Sequence, residues 1–138
     1  MTRRLLLFLP FAACLHADSE KDVEALLASA IAGLSDGRPE LFLEPFDRAM
    51  PDFEKLRTAI VGLTGQADVS CSFEVVHSEG DDESRTLTLD WILRIDGKGG
   101  NTGSTRRQQT VTCTIIKRAK KWRIVSFSPV ELFTPPGA

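Results

Sequence analysis

The residues that could do chemistry in this sequence are few and scattered. Asp90 and Trp91 stand side by side in an alternating run. Strand geometry sends neighbouring side chains to opposite faces, so with Trp91 in a core Asp90 faces outward. There it reads as a solvated carboxylate paired with a neighbouring arginine, and it does acid–base work only if that face lines a pocket. His77 shares its parity with Cys71, Phe73 and Val75, which places it at the mouth of the sheet's apolar face or, more plainly, at a half-exposed strand end. These three, His77, Asp90 and Trp91, are the pocket candidates. The chain has two histidines, His16 and His77, too few for a His-based metal cluster, and it carries no HExxH or paired CxxC. Glu79, Asp81, Asp82 and Glu83 lack the spacing of a calcium loop and read as a charged hairpin. The glycines of residues 97–103 do not open a helix, which removes the phosphate-loop reading. Ser126 and Ser128 have no base marked out for them. No catalytic residue, cofactor or metal is expected.

The elements that position these residues change character along the chain. At 138 residues, 42% apolar and 26% charged, the composition is that of one soluble domain. A net charge of −2 argues against a nucleic-acid surface. The basic cluster of Lys117, Arg118, Lys120 and Lys121 surrounds a tight turn. Arg3 and Arg4 precede a short apolar run, residues 5–13, with the length and flanks of a signal peptide. Three outcomes are open: cleavage after Ala17, giving an exported domain of residues 18–138; lipidation at Cys14, whose preceding Phe11, Ala12 and Ala13 resemble a degenerate lipobox; or a segment left uncleaved and fused to the fold. The product is periplasmic or secreted in the first case. In the second it is a membrane-anchored lipoprotein, and a membrane is a partner only then.

Ser19 to Asp22 reads as a capping box, followed by Val23, Leu26, Leu27, Ala30, Ile31 and Leu34 at helical spacing and by Gly37 as a left-handed terminator. Pro39 opens a short helix with Leu41, Phe42 and Phe46. Pro51 opens a third, with Phe53, Leu56, Ile60 and Leu63 on one face and Gly65 at its end. From Val69 the period becomes two, and four strands follow, joined as hairpins. The order predicts an α+β domain: N-terminal helices packed on a curved four-stranded antiparallel meander. In that order Cys71 and Cys113 lie on strands one and three, about 9–10 Å apart across the strand between them, beyond disulfide reach. Trp91, on the longest apolar face, is expected in the core.

Parity also predicts an outer apolar strip. Ile92 and Ile116 face away from the helices, and the last strand is apolar on both sides, adding Ile124 or its neighbours. Ile92, Ile116 and Ile124 are therefore candidates for a homodimer face. The alternative is that Val130, Leu132 and Phe133 of the tail cover the strip.

The helix exit Leu34-Ser35-Asp36-Gly37-Arg38-Pro39-Glu40-Leu41-Phe42 and the closing Lys121-Trp122-Arg123-Ile124-Val125-Ser126-Phe127 strand resemble the nuclear transport factor 2-like superfamily, the curved-cone fold shared with ketosteroid isomerases and polyketide cyclases. The resemblance covers most of residues 18–138 and implies a pocket between sheet and helices. One departure is visible: residues 48–52 leave no room for the family's early hairpin, which implies either a reduced form with a four-stranded sheet or a different helix-on-sheet fold. With no tyrosine in the chain, the tyrosine oxyanion donor of a ketosteroid isomerase cannot be carried over. The expected function is a non-catalytic module that binds a small apolar ligand or a protein. The alternative is an isomerase, cyclase or dehydratase using the cone pocket.

Overall fold

The computed structural model describes residues 2–98 and 103–136, with side chains from residue 18 onward. The elements run α1 (Thr2–Ser35), α2 (Pro39–Leu43), α3 (Phe53–Gln66), β1 (Ala67–Gly80), β2 (Ser84–Gly97), β3 (Ser104–Arg118), β4 (Lys121–Ser128) and a 3-10 turn, η1 (Val130–Phe133). The four strands form one antiparallel sheet in the order β1-β2-β3-β4. This is the expected α+β meander, without an early hairpin among the described residues. In its place, Pro45 to Asp47 form a single parallel bridge to β4: Ile124 N–H donates to Pro45 O at 2.9 Å, and Asp47 N–H to Ile124 O at 2.8 Å.

Helix α1 differs from the sequence expectation at its start. It continues through Ser19 instead of beginning there, because nothing in residues 2–18 breaks a helix strongly except Pro10. Ser19 is buried and does not cap a helix end. Its other end is as predicted. Gly37 sits at φ +73° and its N–H donates to Leu34 O at 3.0 Å. Arg38 N–H reaches Gly33 O at 2.9 Å, completing the paired bonds of a Schellman cap. Gly33 itself is required for closeness, since a Cβ there would stand 2.5 Å from Leu41 Cβ. Helix α3 begins at Phe53, after Asp52 in a left-handed conformation, and Gly65 lies inside it.

Along β2, Leu87, Leu89, Trp91, Leu93 and Ile95 are buried in strict alternation, matched by Val111, Cys113 and Ile115 on β3. These face Val23, Leu27, Ala30 and Leu34 of α1 and Leu56, Ile60 and Leu63 of α3 in one core. The β3–β4 turn is tight: Ala119 and Lys120 both take positive φ, at 49° and 67°, the geometry that matches strand twist in a two-residue hairpin.

Two bulges reset parity. On β1, Val75 pairs with Leu89 but His77 with Thr88, leaving Val76 as the extra residue. On β4, Ile124 pairs with Ile115 but Ser126 with Thr114, leaving Val125 extra. The second bulge explains a strand that is apolar on both sides: Ile124 and Phe127 both turn inward and are buried. Ile124 is therefore a core residue and not part of an outer strip. Ile92 and Ile116 are half-buried. The tail does not cover them, because Val130, Leu132 and Phe133 pack into the core.

Candidate functional site

Aromatic rings fill the interior of the cone. Trp91 is fully buried and meets Phe127 at 5.5 Å and Phe133 at 5.9 Å, both edge-on, while Phe73 stacks on it at 6.0 Å. Phe42 of α2 packs against Phe46 at 5.3 Å and Phe133 at 5.4 Å. Five elements, α2, β1, β2, β4 and η1, thus send rings into the space between sheet and helices. Burial pushes the Cys71 and Cys113 thiols up to about 12, with a smaller opposing pull on Cys71 from the neighbouring Trp91 N–H. Both cysteines are free. Cys71 lies opposite Leu93 and Cys113 opposite Leu87, so they are offset along β2 as well as separated by it.

The three pocket candidates do not converge. Trp91 is a core residue. The bulge at Val76 moves His77 to the outer side, where its Nε2 lies 3.4 Å from Glu79 Oε2 and its side chain is 64% exposed. Its expected place at the mouth of the apolar face is lost with that shift. Asp90 is on the outer face, as its parity requires. It accepts from Gln108 Nε2 at 2.9 and 3.1 Å, so its partner is an amide where an arginine was expected. In the acidic hairpin Asp81 Oδ1 accepts from the amides of Glu83 and Ser84, both at 2.9 Å, a turn-closing role. Among the described residues no three His, Cys, Asp or Glu side chains gather where a metal could bind, and no helix is long and apolar enough to cross a membrane. Cys14 lies where only the backbone is described.

Sequence reasoning missed two features. The first is a surface groove of about 610 Å³ between α2 and α3. Its apolar wall is Leu41, Leu43, Phe53 and Val61; Arg48, Arg57 and Arg123 stand around it with Glu40 and Glu44. Leu41 and Val61 are two of the three large hydrophobics left exposed among the described residues. The Arg48 guanidinium lies 5.8 Å over the Phe53 ring. Glu40 is engaged by Arg38, and Glu44 by Arg123 and Lys121, while Arg57 pairs with Glu54 at 2.9 Å. Arg48 has no carboxylate partner among the described residues. The arrangement can hold an anionic group beside an apolar surface. The second feature is Arg85, buried at the start of β2. Its parity with Leu87, Leu89 and Trp91 was the signal that could have revealed it.

No protein-family model and no curated protein sequence matches the chain. Solved structures do. The chain is similar to a conserved protein from Planctomyces limnophilus DSM 3776, with TM-score 0.71 and 8% identity over 81% of this chain and 94% of that one. It is similar to a nuclear transport factor 2-like superfamily protein from Salmonella enterica serovar Typhimurium, with TM-score 0.63 and 9% identity over 80% and 89%. It is also similar to a candidate scytalone dehydratase from Novosphingobium aromaticivorans DSM 12444, with TM-score 0.70 and 10% identity over 88% and 98%. At such identities the likeness is one of fold. The helical half, the four-stranded meander and these neighbours together give the chain the nuclear transport factor 2-like fold.

Proposed function

We propose that the chain is an exported, non-catalytic binding module. Its site is the groove between α2 and α3, and its ligand a small apolar molecule with an anionic head. The observation that carries this reading is the coincidence of exposed Leu41 and Val61 with Arg48, Arg57 and Arg123 around one concavity. Exposed apolar surface gathered in a groove and rimmed by charge is a mark of recognition. The enzymatic alternative, an isomerase, cyclase or dehydratase, needs a titrating group within hydrogen-bond reach of a substrate held inside the cone. Trp91, Phe42, Phe127 and Phe133 occupy that space, which favours binding at the surface. Membrane attachment enters the proposal only through a lipid on Cys14. The partner proposed for the outer sheet face, at Ile92 and Ile116, is a second copy of the chain.

Isothermal titration with a straight-chain C10 carboxylate and the alcohol of equal length tests the groove. The carboxylate is expected to bind at least tenfold more tightly, and Arg48→Glu with Arg57→Glu to abolish the difference. Equal affinity for both ligands, or a preference that survives the double variant, would remove the groove as the site.

A further inference from the structure

Arg85 is the one charged residue buried among the described residues, and its side chain is 3% exposed. It donates through Nη1 to Ser19 Oγ at 3.3 Å and through Nη2 to Glu20 Oε1 and Ser78 Oγ, both at 3.0 Å. Its Nε meets no acceptor among the described residues. Ser78 reaches the guanidinium because the bulge at Val76 turns it inward as it turns His77 outward. Two of the three partners therefore come from a single turn of α1, directly after the segment that reads as an export signal. A guanidinium in a poorly solvated wall is costly unless it is paired. Without Ser19 and Glu20, Arg85 would keep Ser78 alone.

The charge pattern of α1 points to the same turn. The full helix has no acidic residue in its first turn, and Arg3 and Arg4 stand there instead, the wrong sign for a helix N-terminus. Asp18, Glu20, Asp22 and Glu24 are mid-helix in the full chain. They carry the right sign for an N-terminus that begins near residue 18.

We infer that Arg85 is a clasp that fastens the first turn of the mature domain to the sheet, and that export processing hydrolyses the chain upstream of Ser19. The clasp follows from the contacts alone. Its link to processing rests on the export reading above. Hydrolysis of one peptide bond, with water supplied across it, leaves a new α-ammonium, carried by Asp18 when the cut follows Ala17 and by Cys14 when it precedes that residue. Cleavage after Ala17 and processing at Cys14 both satisfy the inference; cleavage beyond Glu20 does not.

The full chain is expressed in an exporting bacterium, recovered from the envelope, weighed intact and then challenged with an aminopeptidase. Variants Arg85→Met, Arg85→Lys and Glu20→Gln are treated alike. Wild-type protein is expected to begin between Cys14 and Ser19 and to resist trimming at Ser19 and Glu20. Arg85→Met is expected to stay folded by circular dichroism and to lose Ser19 and Glu20 at least tenfold faster, with Glu20→Gln between the two. Should Arg85→Met not accumulate, Ser19→Ala with Glu20→Gln opens the clasp while leaving Arg85 in place. Trimming at the wild-type rate in the opened variants overturns the clasp. An uncleaved chain, or one that starts beyond Glu20, overturns the processing step, and the trimming rates still decide the clasp.

Discussion

Replacing Trp91 with alanine should cost on the order of 3–5 kcal/mol of folding free energy. The side chain is fully buried, and tryptophan removes about 150–250 Å² from water. At about 25 cal/mol per Å² that is worth roughly 4–6 kcal/mol. One term opposes it: the buried indole Nε1 has only the Cys71 sulfur, a weak acceptor, beside it, so part of the cost of an unsatisfied donor, about 1–3 kcal/mol, remains. Truncation relieves that penalty but leaves a cavity bounded by Phe73, Phe127 and Phe133, whose rings each lose a partner. The cavity and the lost ring contacts bring the net to the upper part of the range. Trp91→Phe keeps most of the ring and removes the poorly satisfied donor, so its cost should be about 1 kcal/mol or less. Urea unfolding measures both, read as a shift in midpoint at constant slope. A loss below about 1 kcal/mol for the alanine variant would refute the packed aromatic interior, and with it the reason for placing the ligand site at the surface.

Other outcomes follow from the same contacts. The buried Cys113 should react with an alkylating reagent only on unfolding and the half-buried Cys71 more slowly than a free thiol, and both should be counted free under denaturing, non-reducing conditions. Because burial raises them from 9.0 to about 12, the native state holds protons that the unfolded chain releases. Stability should therefore fall as pH rises from about 9 toward 12 and be unaffected by these groups below that window. At the acid end, the backbone N–H of Ala49 and the Arg118 guanidinium hold Asp47 below the ordinary carboxylate range, and the Lys55 ammonium does the same for Glu131. Their stabilisation is present above the unfolded value of about 4 and should be lost as pH falls through the folded values; an acid titration of the thermal midpoint that is flat between pH 5 and 2 would contradict it. Ile92→Lys with Ile116→Lys should leave the domain folded and halve its mass in light scattering; a wild-type protein already monomeric at high micromolar concentration would end the dimer proposal.

The alternation from Val69 to Val75 and from Leu87 to Ile95 was legible because period two with branched and aromatic residues has few other solutions. So were the cap at Gly37 and the core place of Trp91. The bulges were not legible. Val76 and Val125 are ordinary strand residues, and only pairing with a neighbouring strand shows that each is one residue too many. That blind spot moved His77 outward and Ile124 inward. Arg85 was hidden for another reason: a charged residue at the start of a strand reads as a solvated edge, and its partners Ser19 and Glu20 lie 65 residues or more away in sequence. The groove depends on how α2 and α3 cross. Helical spacing says which residues share a face, but not which apolar residues, here Leu41 and Val61, stay uncovered.

A ligand held in the α2–α3 groove, as proposed, stays outside the aromatic-filled cone. Amide shift mapping by nuclear magnetic resonance, with the C10 carboxylate titrated into labelled protein, tests it most directly. Saturable shifts are expected at Leu41, Leu43, Phe53 and Val61, with Trp91 and Phe133 unmoved. Shifts centred on Trp91, Phe127 and Phe133 would place the ligand inside the cone and contradict it.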